Sequence, residues 1–322
     1  MSFISEFNHH SRGASVDRIT HSVLNSHNVT LWLKRDDAIH QLISGNKWRK
    51  LKYQLVNSKN DGVKTLISFG GAFSNHLHAL AAAGNTFGFN TIGVIRGEYD
   101  PNNPTLKQLQ ALGMKLEFVS RKEYRDRHDL NYQQSWQQRI PNSRVIAEGG
   151  SSELALPGVA ESVDELSQQL GAFDALFCPV GSGGTVAGLV QGVVQAKLNT
   201  KVYGVCAVKD NSLEHKIQDL LKDVALIPDY QLISGYECGG FAKTSSEQFA
   251  LIDDFYQTNQ IGLDPVYTSK MMLAIFDWVR RGRLDGQTVV AIHTGGMQGW
   301  QGMSYLNQLP VGFTIPEYDI CV

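Results

Sequence analysis

The chain reads as an α/β protein built on mostly parallel, twisted sheets with helices on both faces. Two observations predict this class. Short apolar runs alternate with helix-like stretches along the 322 residues, as they do where crossover helices join parallel strands. Three of those runs also end in glycine-rich turns, at Gly70, Gly181 and Gly295, that lead into helix-like sequence. Taken in order, Val29 to Lys34 alternates like a strand, and Asn46 to Val56 opens a helix. Strands at Thr65 to Ser68 and Asn90 to Ile95 alternate with helices at Asn75 to Ala83 and Thr105 to Leu112. Two short strands follow, Lys115 to Val119 and Arg144 to Ala147. A second series has a helix from Leu156 to Leu170, a strand from Ala175, a helix after Thr185 and a strand from Val202 to Cys206. It closes with helices near Ser246 to Tyr256 and Ser269 to Arg281, and a strand from Thr288 to His293. No repeat, low-complexity tract or linker interrupts the pattern, so two domains would be interwoven in the chain.

Composition narrows the partners. With 29 basic and 31 acidic groups, net charge makes no case for nucleic acid or an anionic membrane. No segment has the length of a membrane span, and Met1 to Asn8 lacks a signal-peptide layout, which points to the cytoplasm. The cysteines Cys178, Cys206, Cys238 and Cys321 are scattered without C-x-x-C spacing, so neither a zinc site nor a disulfide framework is expected. His76 and His78 lie two apart and diverge on a helix, so they make no metal pair.

The chemistry concentrates at the turns, where open α/β sheets bind ligands. Gly181-Ser182-Gly183-Gly184-Thr185 follows a strand and opens a helix. Unpaired N–H groups and a partial positive charge at that helix start favour an anion, so the segment reads as a phosphate cup. It is not G-x-x-x-x-G-K-[ST], and Val186 stands where a dinucleotide fingerprint has its last glycine. Upstream, Lys47 follows Gly45 and Asn46, and Trp48, Arg49 and Lys50 come after it. An aromatic ring and two cations nearby would desolvate the amine and favour its neutral form. A phosphate cup plus an amine, with no nucleotide motif, points to a cofactor that is both a phosphate and an aldehyde. In the second turn, Ser68 to His76, Ser74 reads either as a helix cap or, with Asn75 and His76, as a holder of a substrate carboxylate. The third turn, His293-Thr294-Gly295-Gly296, permits left-handed backbone or a close approach to a planar ligand.

Five segments occur in the order and approximate spacing of one family: Gly45 to Leu51 (GNKWRKL), Phe73 to His76 (FSNH), Gly181 to Thr185 (GSGGT), Asp264 to Thr268 (DPVYT) and His293 to Gly296 (HTGG). The chain resembles the pyridoxal-phosphate (PLP) enzymes of the tryptophan-synthase-β fold, fold type II. Within them it is similar to the 1-aminocyclopropane-1-carboxylate (ACC) deaminase and D-cysteine desulfhydrase family, from about Leu31 to Gly296. The resemblance implies two three-layer α/β domains with PLP in the cleft between them. The larger domain would comprise residues 1–51 plus 158–322, the smaller inserted one residues 52–157. It also implies a homodimer.

The resemblance carries roles onto matching positions. Lys47 corresponds to the lysine that holds the cofactor's aldehyde and later shuttles a proton at Cα. Lys50 adds a charged contact to the phosphate held by Gly181, Ser182, Gly183, Gly184 and Thr185. Asn75 corresponds to the residue bonded to the ring 3′-oxygen. Ser74 faces the substrate and takes part in proton movement, and Asn75 and His76 sit near its carboxylate. Tyr267 corresponds to an active-site tyrosine, and Thr268 to the residue facing the pyridine nitrogen. A threonine there is a poor acid-base partner, so the ring is not held protonated. β-Elimination needs less carbanion stabilisation than opening a cyclopropane, which favours a D-cysteine desulfhydrase-like lyase giving a 2-oxo acid, ammonia and sulfide. ACC deamination to 2-oxobutanoate is the nearest alternative; a non-catalytic PLP or small-molecule binder and a dinucleotide-dependent oxidoreductase are remoter ones. Phe241 stands where both subfamilies carry a tyrosine, and the missing hydroxyl argues against ring opening and also weighs against plain D-cysteine chemistry; Lys243 beside it is a substrate-side cation or a solvated one.

Overall fold

The computed structural model describes residues 2–224 and 230–317, so Cys321 lies outside the described residues. The chain opens with α1 (Phe3–His9), β1 (Val16–Ile19), α2 (Ser22–Ser26), β2 (Thr30–Lys34) and α3 (Asn46–Asn60). It continues through β3 (Thr65–Gly70), α4 (Asn75–Phe87), β4 (Asn90–Arg96), α5 (Pro104–Ala111), β5 (Met114–Val119), α6 (Leu130–Arg139) and β6 (Ser143–Ile146). Next come α7 (Leu156–Leu170), β7 (Ala175–Val180), α8 (Gly184–Gln195), β8 (Lys201–Cys206), α9 (Leu213–Leu221) and β9 (Tyr230–Ile233). Then follow α10 (Ser246–Asn259), α11 (Thr268–Arg280), β10 (Thr288–Ile292) and α12 (Gly299–Tyr305).

Two sheets result, and they divide the chain unevenly. The four-stranded sheet, ordered β5-β4-β3-β6, is wholly parallel and comes from one continuous stretch. The six-stranded sheet, β1-β2-β10-β7-β8-β9, takes strands from both flanks of that stretch and is parallel except for the β1–β2 pair. Strand order reverses between β3 and β6 in one sheet and between β7 and β10 in the other. Crevices open at such points beyond the carboxyl ends of the strands. The turns at Gly70, Gly181 and Gly295 follow β3, β7 and β10, so all three stand at a reversal.

Both faces of the larger sheet are buried, and the strands show it by alternation. Leu31, Leu33, Phe177, Val289 and Ala291 pack towards α10 and α11. Leu176, Cys178, Val180, Val290 and Ile292 pack towards α7, α8 and α9. Period-2 alternation with both faces apolar is what a covered parallel sheet requires. The edge strands β1 and β9 escaped sequence reading because each has four residues, with one fully buried in each, Ile19 and Ile233.

Two contacts fix the helices that matter for the site. Glycines at 188 and 192 let α8 lie directly on α7: an added Cβ would come within 2.4 Å of Val159 Cβ and 2.7 Å of Val163 Cγ2. On α3, the Arg49 guanidinium forks onto Asp36 at 2.6 and 2.7 Å and onto Glu165 of α7 at 2.8 and 2.9 Å. Lys34 Nζ also reaches Glu165, at 2.7 Å. Burial works against ionising Glu165, but Arg49 and then Lys34 outweigh it and hold its pKa down to about 2.

Removing one member of this buried network strands a charge. Arg49→Met should lower unfolding free energy by about 3 kcal/mol or more in denaturant titration, because the Asp36 carboxylate loses its partner. Adding Asp36→Leu to Arg49→Met should restore much of that loss. Lys115→Met, at the exposed Lys115–Glu117 pair, should cost at most about 1 kcal/mol. Equal effects at the two sites would contradict a structural role for the network.

Candidate active site

The three turns and the start of α3 converge on one cavity of ≈ 1290 Å³. Lys47, Lys50, Ser74, Asn75, His76, Gly181, Ser182, Gly183, Thr185 and Tyr267 all line it. Gly184, Thr268 and Lys243 do not line it; Gly184 and Thr268 are buried and Lys243 is exposed. Among the described residues no helix is long and apolar enough to cross a membrane, and no His, Cys, Asp and Glu group is arranged to hold a metal ion.

Close backbone approach explains why the third turn is glycine-rich. A Cβ on Gly45 would meet the Thr294 carbonyl oxygen at 1.8 Å, and one on Gly296 would meet Asn75 Nδ2 at 2.8 Å. Gly45, Gly295 and Gly296 all have positive φ, a backbone that side chains resist. His293 staples this turn: its Nε2 donates to the Gly262 carbonyl at 2.8 Å and its Nδ1 accepts from Gly295 N–H at 3.2 Å.

Helix N-termini at the cavity differ in what occupies them, and those of α4, α11 and α8 show the contrast. Ser74 Oγ caps α4, accepting from Leu77 N–H at 3.2 Å. Ser74 therefore caps the helix and also lines the wall. Asp264, fully buried, accepts from the N–H groups of Val266, Tyr267 and Thr268 at 2.7 to 3.0 Å, so a carboxylate already fills the start of α11. No side chain caps α8, whose N-cap Gly183 is left-handed at φ 84. Its donors remain for a ligand, and an anion is favoured there.

Cations on α3 sort by helix face. Arg49 and Lys52, three apart, turn to α7 and meet Glu165 and Glu161. Lys47 and Lys50, also three apart, turn to the cavity and meet no carboxylate among the described residues. Lys50 is 1% exposed. Its ammonium donates to the Gly149 carbonyl and Ser151 Oγ at 2.7 Å each, with Ser182 Oγ at 3.4 Å. Burial, and then the charge of Lys47, push its pKa well below the usual range. A lysine this deep, beside an uncapped helix start, calls for an anion. Burial alone pushes the Lys47 ammonium down to about 8, and no hydrogen bond within the described residues holds its Nζ.

The remaining wall is set for neutral groups. Ser68 Oγ donates to the Ile146 carbonyl at 2.7 Å, so it accepts from His76 Nε2 at 2.9 Å. Burial, then Lys47 and Lys50, keep His76 far below its usual pKa. Its Nδ1 is thus a neutral acceptor with no partner among the described residues. Burial, then the charges of Asp264 and Glu148, raise the Tyr267 hydroxyl, which stays protonated. Phe241, 54% exposed, meets the Tyr267 ring edge-on with centroids 6.3 Å apart. Thr268 Oγ1 is buried without a partner among the described residues.

Four contributors escaped sequence reading. Asn46 Nδ2 donates to Thr185 Oγ1 at 2.8 Å and so ties α3 to the cup. Asp264 was quoted only as part of a motif. Gly149 and Ser151 come from a fourth glycine turn, after β6, that closes over Lys50. The sequence signal for it, Glu148-Gly149-Gly150-Ser151-Ser152 after an apolar run, was present; short 3-10 turns rather than a helix follow it.

In the protein freed of bound small molecules, acylation of Lys47 with limiting reagent, followed by peptide mass spectrometry, should rise with pH about a midpoint near 8. Below that pH the amine is protonated and unreactive; above it the neutral form attacks. A midpoint in the ordinary lysine range near 10.4 would contradict the burial argument.

Comparison with known proteins agrees with this geometry. The sequence profile described as "Pyridoxal-phosphate dependent enzyme" matches residues 19–295. A putative 1-aminocyclopropane-1-carboxylate deaminase of Thermotoga maritima is 32% identical, over 84% of this chain and 89% of its own. A bifunctional D-cysteine desulfhydrase/1-aminocyclopropane-1-carboxylate deaminase of Arabidopsis thaliana, mitochondrial, is 28% identical over 84% of this chain and 73% of its own. The crystal structure of an ACC deaminase homologue superposes with a TM-score of 0.78 at 26% identity, covering 92% of this chain and 94% of the other. The chain therefore belongs to the pyridoxal-phosphate dependent enzyme family, in the fold type II group that includes ACC deaminases and D-cysteine desulfhydrases.

Proposed function

We propose that the protein is a PLP-dependent lyase that deaminates a small amino acid by β-elimination, with D-cysteine as the reference substrate. The observation that carries this reading is the pair of uncompensated lysines facing the uncapped start of α8. Together they fit the two functional groups of PLP, an aldehyde and a phosphate. The cradle fits as well. A Cβ at Gly184 would meet Ser151 Oγ at 2.6 Å and Lys50 Cε at 3.0 Å, and one at Gly181 would meet Tyr267 Cε1 at 3.1 Å. The unpartnered hydroxyl of Thr268 suits a ring nitrogen.

PLP, when bound, supplies an aldehyde that condenses with amines and a ring that delocalises an electron pair left at Cα. The chain's own residues do the rest. Lys47 holds the aldehyde, and Lys50, Gly181, Ser182, Gly183, Gly184 and Thr185 hold the phosphate. Asn75 bonds the 3′-oxygen. Ser74, Asn75 and His76 orient the substrate carboxylate, and neutral His76 adds no charge of its own. The Cα proton goes to Lys47 Nζ or Ser74 Oγ, according to the handedness of the substrate. Tyr267, protonated, serves as a donor beside the ring. Overall, cysteine and one water give pyruvate, hydrogen sulfide and ammonia.

Thr268 and Phe241 favour elimination over opening of an unactivated ring. A hydroxyl cannot keep the pyridine nitrogen protonated as a carboxylate would, and Phe241 lacks the hydroxyl of a tyrosine. ACC deamination remains the second reading because relatives bear both activities in their names. The same proposal includes a smaller domain of residues 52–157 that closes on substrate against the rest of the chain. It includes a homodimer, on family resemblance, and a cytoplasmic setting, consistent with unpaired Cys178, Cys206 and Cys238.

PLP-loaded protein given D-cysteine should yield pyruvate and sulfide, and given ACC should yield no 2-oxobutanoate. Lys47→Ala should abolish both the turnover and borohydride trapping of the cofactor. 2-Oxobutanoate from ACC would overturn the argument from Thr268; trapping at another lysine would overturn the role of Lys47.

A further inference from the structure

Two cations on the cavity wall, Arg96 and Lys209, are left over once these roles are assigned. Arg96 ends β4 and lines the cavity. One nitrogen of its guanidinium lies 3.9 Å from where a Cβ on Gly71 would stand, so it overlies the turn that leads to Ser74 and Asn75. Gly71, having no side chain, leaves that approach open. Other wall cations have counter-charges: Arg127 pairs with Glu148, Lys216 with Asp210 and Lys222 with Glu153. Arg96 and Lys209 are both exposed and pair with no carboxylate among the described residues, but Arg96 alone of the two lies over an aromatic ring and beside the turn that leads to Ser74.

The platform beneath Arg96 is rigid. Its guanidinium carbon lies 5.8 Å from the centre of the Tyr124 ring, and that of Arg127 lies 4.8 Å from the same ring. Tyr124 is buried, and its hydroxyl donates to Glu148 Oε1 at 2.5 Å. Glu148 also takes Arg127 Nε at 2.6 Å, so its carboxylate is engaged by those neighbours. A stacked guanidinium with free donors is suited to forked recognition of an oxyanion. Because Arg96 is exposed, exchanging its water for such an anion carries little desolvation cost.

We infer that Arg96 is a specificity-determining residue that pairs with a second anionic group, carried on the side chain of the amino-acid substrate. The inference rests on the reading of the cavity as a PLP site whose turn takes the α-carboxylate. With the phosphate assigned to Lys50 and the cup, and the α-carboxylate to the Ser74 turn, the free donors of Arg96 on the cavity wall are available to a further anion. The substrate class is then small amino acids with an anionic β-substituent. For serine O-sulfate the chemistry closes with water alone. The Cα proton is taken, the Cβ–O bond breaks with its electron pair leaving on sulfate, and hydrolysis gives pyruvate and ammonia.

Aspartate and asparagine test this as a near-isosteric charged and neutral pair, in both hands, titrated into PLP-loaded protein by the shift in cofactor absorption. Wild type should prefer aspartate by about three- to fivefold, as for a pair at an exposed cation. Arg96→Gln should collapse that preference towards unity, and Arg96→Lys should keep part of it. Absence of a preference in wild type, or equal weakening of both ligands in Arg96→Gln, would overturn the inference; the latter would assign Arg96 to the α-carboxylate. Turnover of serine O-sulfate against O-acetylserine provides a separate arm. A wild-type aspartate preference that Arg96→Gln removes, without turnover of either ester, would uphold Arg96 while refuting the proposed elimination.

Discussion

Four cations in the first two turns of α3 define the molecule's central constraint. Arg49 and Lys52 are matched by Glu165 and Glu161 on α7, whereas Lys47 and Lys50 turn to the cavity and pair with no carboxylate among the described residues, Lys50 meeting a carbonyl and a hydroxyl instead. A helix puts residues three apart on one face, so the compensated pair anchors the helix while the other pair is held where charge is costly. The Asp36–Arg49–Glu165–Lys34 network and the glycine contact between α7 and α8 both support this arrangement. They hold α3 and the uncapped start of α8 against the same helix, α7, and so keep amine and cup in register.

From that constraint the electrostatics of the site follow. Burial brings Lys47 to about 8, close enough to neutrality that its amine is available as a nucleophile. The same cations keep His76 neutral and leave its Nδ1 as an acceptor. Asp264 fills the start of α11 and Ser74 caps α4, whereas no side chain caps the start of α8, which lies beside Lys50.

Much of this was legible in the sequence because the main signals are local. A strand, a glycine turn and a helix start are read from a dozen consecutive residues, and the turns at Gly70, Gly181 and Gly295 follow that template. Their order with Lys47 and Tyr267 then pointed to one cofactor. What escaped is non-local or breaks the template. Arg49 looks like any surface arginine until α7 is packed against α3. The Gly149 turn leads into short 3-10 turns, and the edge strands β1 and β9 are too short to show a period. Arg96 carries no motif; its meaning comes from the counter-charges that its neighbours have and it lacks.

The central claim, that Lys50 and the open start of α8 form a phosphate site, is tested most directly by comparing PLP with pyridoxal, which lacks only the phosphate. Calorimetric titration of stripped protein should show a strong preference for PLP in wild type. Lys50→Met should reduce that preference by about tenfold or more, the worth of a charge-assisted bond. Equal affinity for the two ligands in wild type, or an unchanged preference in Lys50→Met, would contradict the account.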